Sequence, residues 1–120
     1  MKIGRMSAKV PKASRKPTVR DLEWAAGFLD GEGCFRRHRS ASHWQGTEQV
    51  TAQQNAPELL ERLQSLFGGK VGKTKSTSPN GTKREIWQWH IYGARARGVM
   101  MTLYLLMSEK RKVETKQALA

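Results

Sequence analysis

The chain is poor in acid, in cysteine and in uninterrupted apolar sequence. Only 10 of its 120 residues are Asp or Glu, against 22 Lys and Arg, which leaves a formal net charge of +12. Such an excess favours a polyanionic partner over a small neutral substrate. A basic protein lying on a membrane surface would carry the same signature. The single cysteine, Cys34, excludes a disulfide framework and a Cys-rich zinc site, and points to an intracellular, reducing compartment, cytoplasm or organelle. No stretch approaches the roughly 20 apolar residues of a membrane span, and the basic start lacks the apolar core of a signal peptide. The three histidines, His38, His43 and His90, lack metal-ligand spacing. A hydrophobic content of 38 % with four Trp still supports a modest core, so one small folded domain is expected.

The charge is unevenly spread. Residues 1–17 hold six basic residues (Lys2, Arg5, Lys9, Lys12, Arg15, Lys16) and no acid. Pro11 and Pro17 punctuate this segment, which has no helical or strand period and reads as a flexible basic arm. Order is expected over 18–120. Thr18 with Asp21 has the spacing of a capping box, and 22–29 reads as a helix stopped by Gly31 and Gly33. Alternating strands follow over 33–40 and about 44–53. Asn55 with Glu58, and Pro57 in the first turn, opens a second helix. Its apolar stripe is Leu59, Leu60, Leu63, Leu66 and Phe67, and Gly68-Gly69 ends it. Strands over about 70–75 and 83–92 flank Asn80-Gly81, the strongest hairpin signal in the chain. A Met- and Leu-rich helix over 94–107 and a short basic helix over 109–119 complete the order α-β-β-α-β-β-α-α. The fold class is therefore α+β, with an antiparallel four-stranded sheet whose Trp87, Trp89 and Ile91 face is covered by helices.

The first helix is physically odd. Leu22, Ala25, Ala26 and Leu29 share one face, and Trp24 and Phe28 another, which implies burial against two different things. Asp30 and Glu32 stand at its C-terminal end, where carboxylates oppose the macrodipole. A divalent cation would reverse that penalty, because hard oxygen ligands suit Mg²⁺. A solvated acidic turn is the plain alternative.

The run Trp24-Ala25-Ala26-Gly27-Phe28-Leu29-Asp30-Gly31-Glu32-Gly33-Cys34-Phe35 resembles the signature helix of the LAGLIDADG homing endonucleases. Ala26, Gly27, Asp30 and Gly33 match the family name letter for letter, and Glu32 stands for the second aspartate. The family order αββαββα is the order read above for 18–107. The resemblance implies a site-specific, double-strand DNA endonuclease that cleaves phosphodiester bonds with Mg²⁺ or Mn²⁺ and no small-molecule cofactor. With one motif, it implies a homodimer on a near-palindromic site, joined through Leu22, Ala25, Ala26, Gly27, Leu29 and Asp30. It assigns the metal to Glu32 with help from the Gly31 carbonyl. It places a catalytic lysine at Lys110. At the strand position that assists water in relatives, Ala52 stands here, with Gln53 as the substitute. Cys34 is expected to pack.

Base readout is expected from the sheet face opposite the tryptophans: Arg36, His38 and Ser40, Gln49 and Thr51, Lys73 and Lys75, and Arg84, Gln88 and His90. Two other readings stay open. One is a non-cleaving DNA- or RNA-binding protein of the same fold, a regulator or intron maturase. The other is a small basic RNA-binding structural protein.

Overall fold

A computed structural model describes residues 10–40 and 43–120, without the side chains of residues 40, 43, 44 and 76. Helix α1 (Val19–Glu32) opens on the expected capping box. Thr18 Oγ1 accepts from the Asp21 amide at 3.2 Å, and Asp21 Oδ2 accepts from the Thr18 amide at 2.9 Å. Arg15 adds a bidentate contact to the same carboxylate at 2.6 and 3.1 Å. The helix runs through Gly31 to Glu32, three residues past the expected end at Leu29. Gly31 does not break it because its backbone stays in the ordinary helical range; only the extended Gly33 ends the helix.

Strands β1 (Gly33–Ser40), β2 (His43–Gln54), β3 (Lys70–Thr77) and β4 (Lys83–Tyr92) form one antiparallel sheet in the order β1-β2-β4-β3. The register puts Phe35 opposite Val50, Ala52 opposite Trp89 and Val50 opposite Ile91. Directly opposed residues share a face. That face is packed by Ala25, Ala26 and Leu29 of α1, and by Leu60 and Leu63 of α2 (Glu58–Phe67). Val99, Met100 and Leu103 of α3 (Gly93–Leu103), and Ala118 of α4 (Glu109–Leu119), complete the cover. The indole of Trp89, fully buried, donates to the Gly68 carbonyl at 2.8 Å, so its one polar atom is satisfied inside the core. The other sheet face carries no helix in this core cluster. No described helix is long and apolar enough to cross a membrane.

Three local expectations change. Pro57, not Asn55, is the residue before α2; the Asn55 side chain instead accepts from Arg84 at 3.2 Å. Leu59 is exposed, and the buried stripe is Leu60, Leu63 and Leu66. A 3-10 turn (Tyr104–Leu106) interrupts the segment read as one helix over 94–107. Residues 1–9 of the basic arm lie outside the described residues, but 10–17 are tied to the domain. The Gly69 amide donates to the Pro11 carbonyl at 2.9 Å and the Ser14 amide to the Ser65 carbonyl at 2.9 Å. Gly68 and Gly69 have φ of +78° and +93°, and a Cβ there would strike the Pro11 and His90 carbonyls respectively. Gly68 thus admits the strap at the end of α2, and Gly69 admits the close approach of β4.

The contact with Arg15 first, then those with Thr18, hold the Asp21 carboxyl well below the usual carboxylate range. Its folded-state value lies below the unfolded value of roughly 3.9, so this stabilisation is complete above about pH 4 and is lost as pH falls through the folded value. Thr18→Ala should cost about 1 kcal/mol by urea denaturation at pH 7. Asp21→Asn should lower the melting temperature at pH 7, and the gap to wild type should close as pH drops below about 4.

Candidate nucleic-acid interface and metal site

The open face of the sheet is organised in rows set by the strand register. Arg36, Gln49 and Tyr92 lie across β1, β2 and β4, and Cys34, Thr51, His90 and Lys70 form the next row. Gln53, Gln88 and Gly72 follow, then Ile86 with Thr74, then Arg84 with Ser76. Arg36, His38, Gln49, Thr51, Arg84, Gln88 and His90 thus share the face expected of them. The side chain of Ser40 lies outside the described residues.

Lys73 and Lys75 do not share it. Lys73 pairs with Trp87, and its ammonium sits 5.3 Å from that ring; Lys75 pairs with Glu85. The outward lysine of β3 is Lys70, opposite His90. Val71, the only aliphatic residue in the strand, marks the inward set and could have fixed this from sequence. Tyr92 was also missed, although it shares the parity of Gln88 and His90. Burial, then the nearby Lys70, lowers the His90 pKa, so this imidazole is neutral near pH 7.

At the end of α1 the Glu32 carboxylate meets this face. Glu32, Cys34, Thr51, Gln53, Asn55 and Ile86 line a cleft of about 640 Å³. Ala52 is buried, and the polar residues of β2 that line the cleft are Thr51, Gln53 and Gln54. Cys34 is exposed into the cleft rather than packed. Lys110 is exposed in the first turn of α4 and is not part of the cleft lining. Among the described residues the Glu32 carboxylate and the Gly31 carbonyl accept no side-chain hydrogen bond, and no three His, Cys, Asp or Glu side chains cluster. The Glu32 carboxylate and the Gly31 carbonyl are hard oxygen donors of the kind Mg²⁺ or Mn²⁺ accepts, at the negative end of a helix, and the exposed Cys34 thiol lines the same cleft.

The end of α1 is clasped by the start of α4. Asp30 Oδ1 accepts from the Ser108 hydroxyl at 2.7 Å and the Ser108 amide at 3.2 Å. In return, Arg111 Nε donates to the Asp30 carbonyl at 2.9 Å, and its Nη1 meets Glu114 at 2.7 Å. Each helix terminus thus lends the other its missing partner.

The clasp and the core revise the outer face of α1. Ala25 (0 % exposed), Ala26 (2 %) and Leu29 (0 %) are buried inside the protomer, so they cannot meet a second copy. Leu22 is half-buried, and Asp30 is bound to α4. Trp24 and Phe28 stack at 5.4 Å, with the Arg62 guanidinium 3.9 Å above Trp24. The exposed stripe is Arg20, Glu23, Gly27 and Gly31, and a Cβ at either glycine would meet nothing within 4 Å. Of the expected interface residues only Gly27 stands fully outward.

This architecture has a solved counterpart. The crystal structure of the LAGLIDADG meganuclease I-AabMI bound to uncleaved DNA superposes on 79 % of this chain with a TM-score of 0.53 and 19 % identity. The fold is the LAGLIDADG meganuclease fold. The matched part is 33 % of that chain, so this protein spans about a third of its neighbour's length. No protein-family model and no curated protein sequence matches this chain. Asp30 is expected from sequence to stabilise the helix end, and the partner that sequence does not supply is the start of α4. That start is marked by Ser108, an N-cap residue just before the basic helix.

Arg111→Met should destabilise the protein by about 1–3 kcal/mol, because the Asp30 carbonyl and the Glu114 carboxylate lose their partner in a part-buried setting. Urea denaturation with unchanged far-ultraviolet circular dichroism at low denaturant would register it.

Proposed function

We propose that this chain is a site-specific double-strand DNA endonuclease that acts as a homodimer on a near-palindromic site, with Mg²⁺ or Mn²⁺. The observation that carries the proposal is the position of Glu32: a free carboxylate in a cleft at the margin of an open, cationic sheet face. The fold neighbour is a meganuclease bound to uncleaved DNA, which supports DNA as the partner of this chain. Carboxylates are disfavoured beside phosphates unless a cation stands between them, and Glu32 with the Gly31 carbonyl provides its ligands. When bound, the cation neutralises phosphate charge and lowers the pKa of a coordinated water. Gln53 offers an amide to a water or phosphate oxygen entering the cleft. Lys110 precedes Arg111, which is bonded to the end of α1, so its backbone is held near that terminus, and its exposed side chain is the lysine proposed to reach a bound phosphate.

A second copy would complete two such sites and match a two-fold target. Gly27 and Gly31 leave α1 bare on its outer side. The 3-10 turn packs against α1 and leaves Leu105 and Leu106 exposed, an apolar surface of the kind that marks association.

Glu32→Gln should keep DNA binding and lower cleavage by about a hundredfold or more, since even the outer partners of a metal are worth 10–100-fold. Unchanged cleavage would remove Glu32 from the site. Tight, sequence-selective binding by wild type without cleavage would make the chain a binding module of this fold. Gly27→Leu should shift the mass by light scattering from twice 13.6 kDa to 13.6 kDa while the fold persists, because a Cβ at Gly27 meets nothing within 4 Å and the position is exposed.

A further inference from the structure

The row Arg36–Gln49–Tyr92 is wired before any nucleic acid arrives. Arg36 Nε donates to Gln49 Oε1 at 2.6 Å, and Gln49 Nε2 donates to the Tyr92 hydroxyl at 2.8 Å. Chemistry fixes the direction of this chain. A guanidinium can only donate, so the amide oxygen must face Arg36, and the amide nitrogen is left for the phenol. Gln49 is 4 % exposed and has both amide atoms engaged. At that burial its remaining N–H and lone pair are not presented for the paired contact with which glutamine reads adenine. Arg36 is exposed, and among the described residues its Nη1 and Nη2 make no hydrogen bond or ion pair. Tyr92 is itself held between His90 at 5.3 Å and His38 at 6.0 Å.

We infer that Arg36 is a guanine reader and that Gln49, backed by Tyr92, is its positioning residue. The inference rests on the proposed DNA-binding use of this face and names what the face selects: a G·C pair at one position of each half-site. The terminal nitrogens of a guanidinium fit the O6 and N7 acceptors of guanine in the major groove. Adenine presents a donor where guanine presents O6, so a fork made only of donors rejects it. A free arginine would lose much side-chain freedom on binding. Here the Nε contact has already restricted that freedom and turned the fork toward solvent. Gln49 thereby moves from the set of base readers to the support beneath one.

The test is selection of bound duplexes from a randomised DNA library by gel shift, using the full chain, so that it does not depend on cleavage. Wild type should enrich a motif containing a G·C pair at a symmetric position in both halves. Arg36→Ala should flatten that position alone, lowering the guanine preference between about fivefold and a hundredfold. Arg36→Lys should keep overall affinity yet lose the same preference, because lysine carries the charge without the fork. Gln49→Leu should weaken the preference at the same position with Arg36 intact. Tyr92→Phe, a milder change at an exposed residue, should do so to a lesser degree and stands in should Gln49→Leu fail to fold.

Other outcomes overturn the inference. Arg36→Ala could weaken all sequences equally with the motif unchanged, which would make Arg36 a phosphate contact. Gln49→Leu could instead alter a different position, which would make Gln49 a reader itself. Enrichment of no motif by wild type would overturn the DNA-recognition reading beneath the inference, and so is distinguishable from a failure of the Arg36 assignment alone.

Discussion

The exchange of caps between α1 and α4 is the contact on which the candidate site depends. A helix end leaves carbonyls without partners, and a helix start leaves amides without them. Here the Asp30 carboxylate serves the start of α4, and Arg111 from that start serves the Asp30 carbonyl. The two termini are fixed to each other through atoms of one residue. Glu32 lies two residues beyond Asp30 and Lys110 one residue before Arg111, so the clasp holds the backbone that carries each of them. This also explains why two carboxylates so close in sequence differ in role. One closes a structural circuit, and the other is left without a hydrogen-bond donor among the described residues.

The same division holds for acids elsewhere. Asp21 is held by Arg15 and Thr18; Glu48 is buried, with Arg97 at 2.8 Å and Arg37 at 3.9 Å. Burial works against the Glu48 charge, but its hydrogen bonds and the two arginines prevail and keep its pKa lowered. Glu114 and Glu109 are paired within α4, with Arg111 and Lys112. In a chain this short of acid, most carboxylates that approach the core bind arginine. Glu32 is distinguished by facing a cleft with no such partner.

Much of the architecture was legible in sequence because local signals agreed with one another. The capping box at Thr18 and Asp21, the Asn80-Gly81 turn and the alternation of Trp87, Trp89 and Ile91 each specify one geometry, and each is present. The site was legible in part. Glu32 and Gln53 do meet in one cleft, and seven of the ten expected readers share the open face. Failures came where periodicity was weak or where a partner lay far along the chain. In strand β3 the expectation for Lys73 and Lys75 fails because it follows their charge rather than the parity they share with Val71. Ala25 and Ala26 were read as a surface for a second helix, although small residues serve equally well for close approach to the protein's own core. Ser108 marks the start of the last helix, but no local pattern pairs it with Asp30, 78 residues away.

The internal engagement of arginine has a consequence for how net charge should be understood. Arg15, Arg37, Arg97 and Arg111 each point a guanidinium at a carboxylate or carbonyl of the protein itself. Cations engaged in this way release no counterions from a polyanion when the two associate. The salt sensitivity of association follows the number of phosphates neutralised, not the formal charge of the chain. For this protein that sensitivity should be set by lysines and by the few arginines whose forks stay in solvent, and it should be shallower than a +12 chain would suggest.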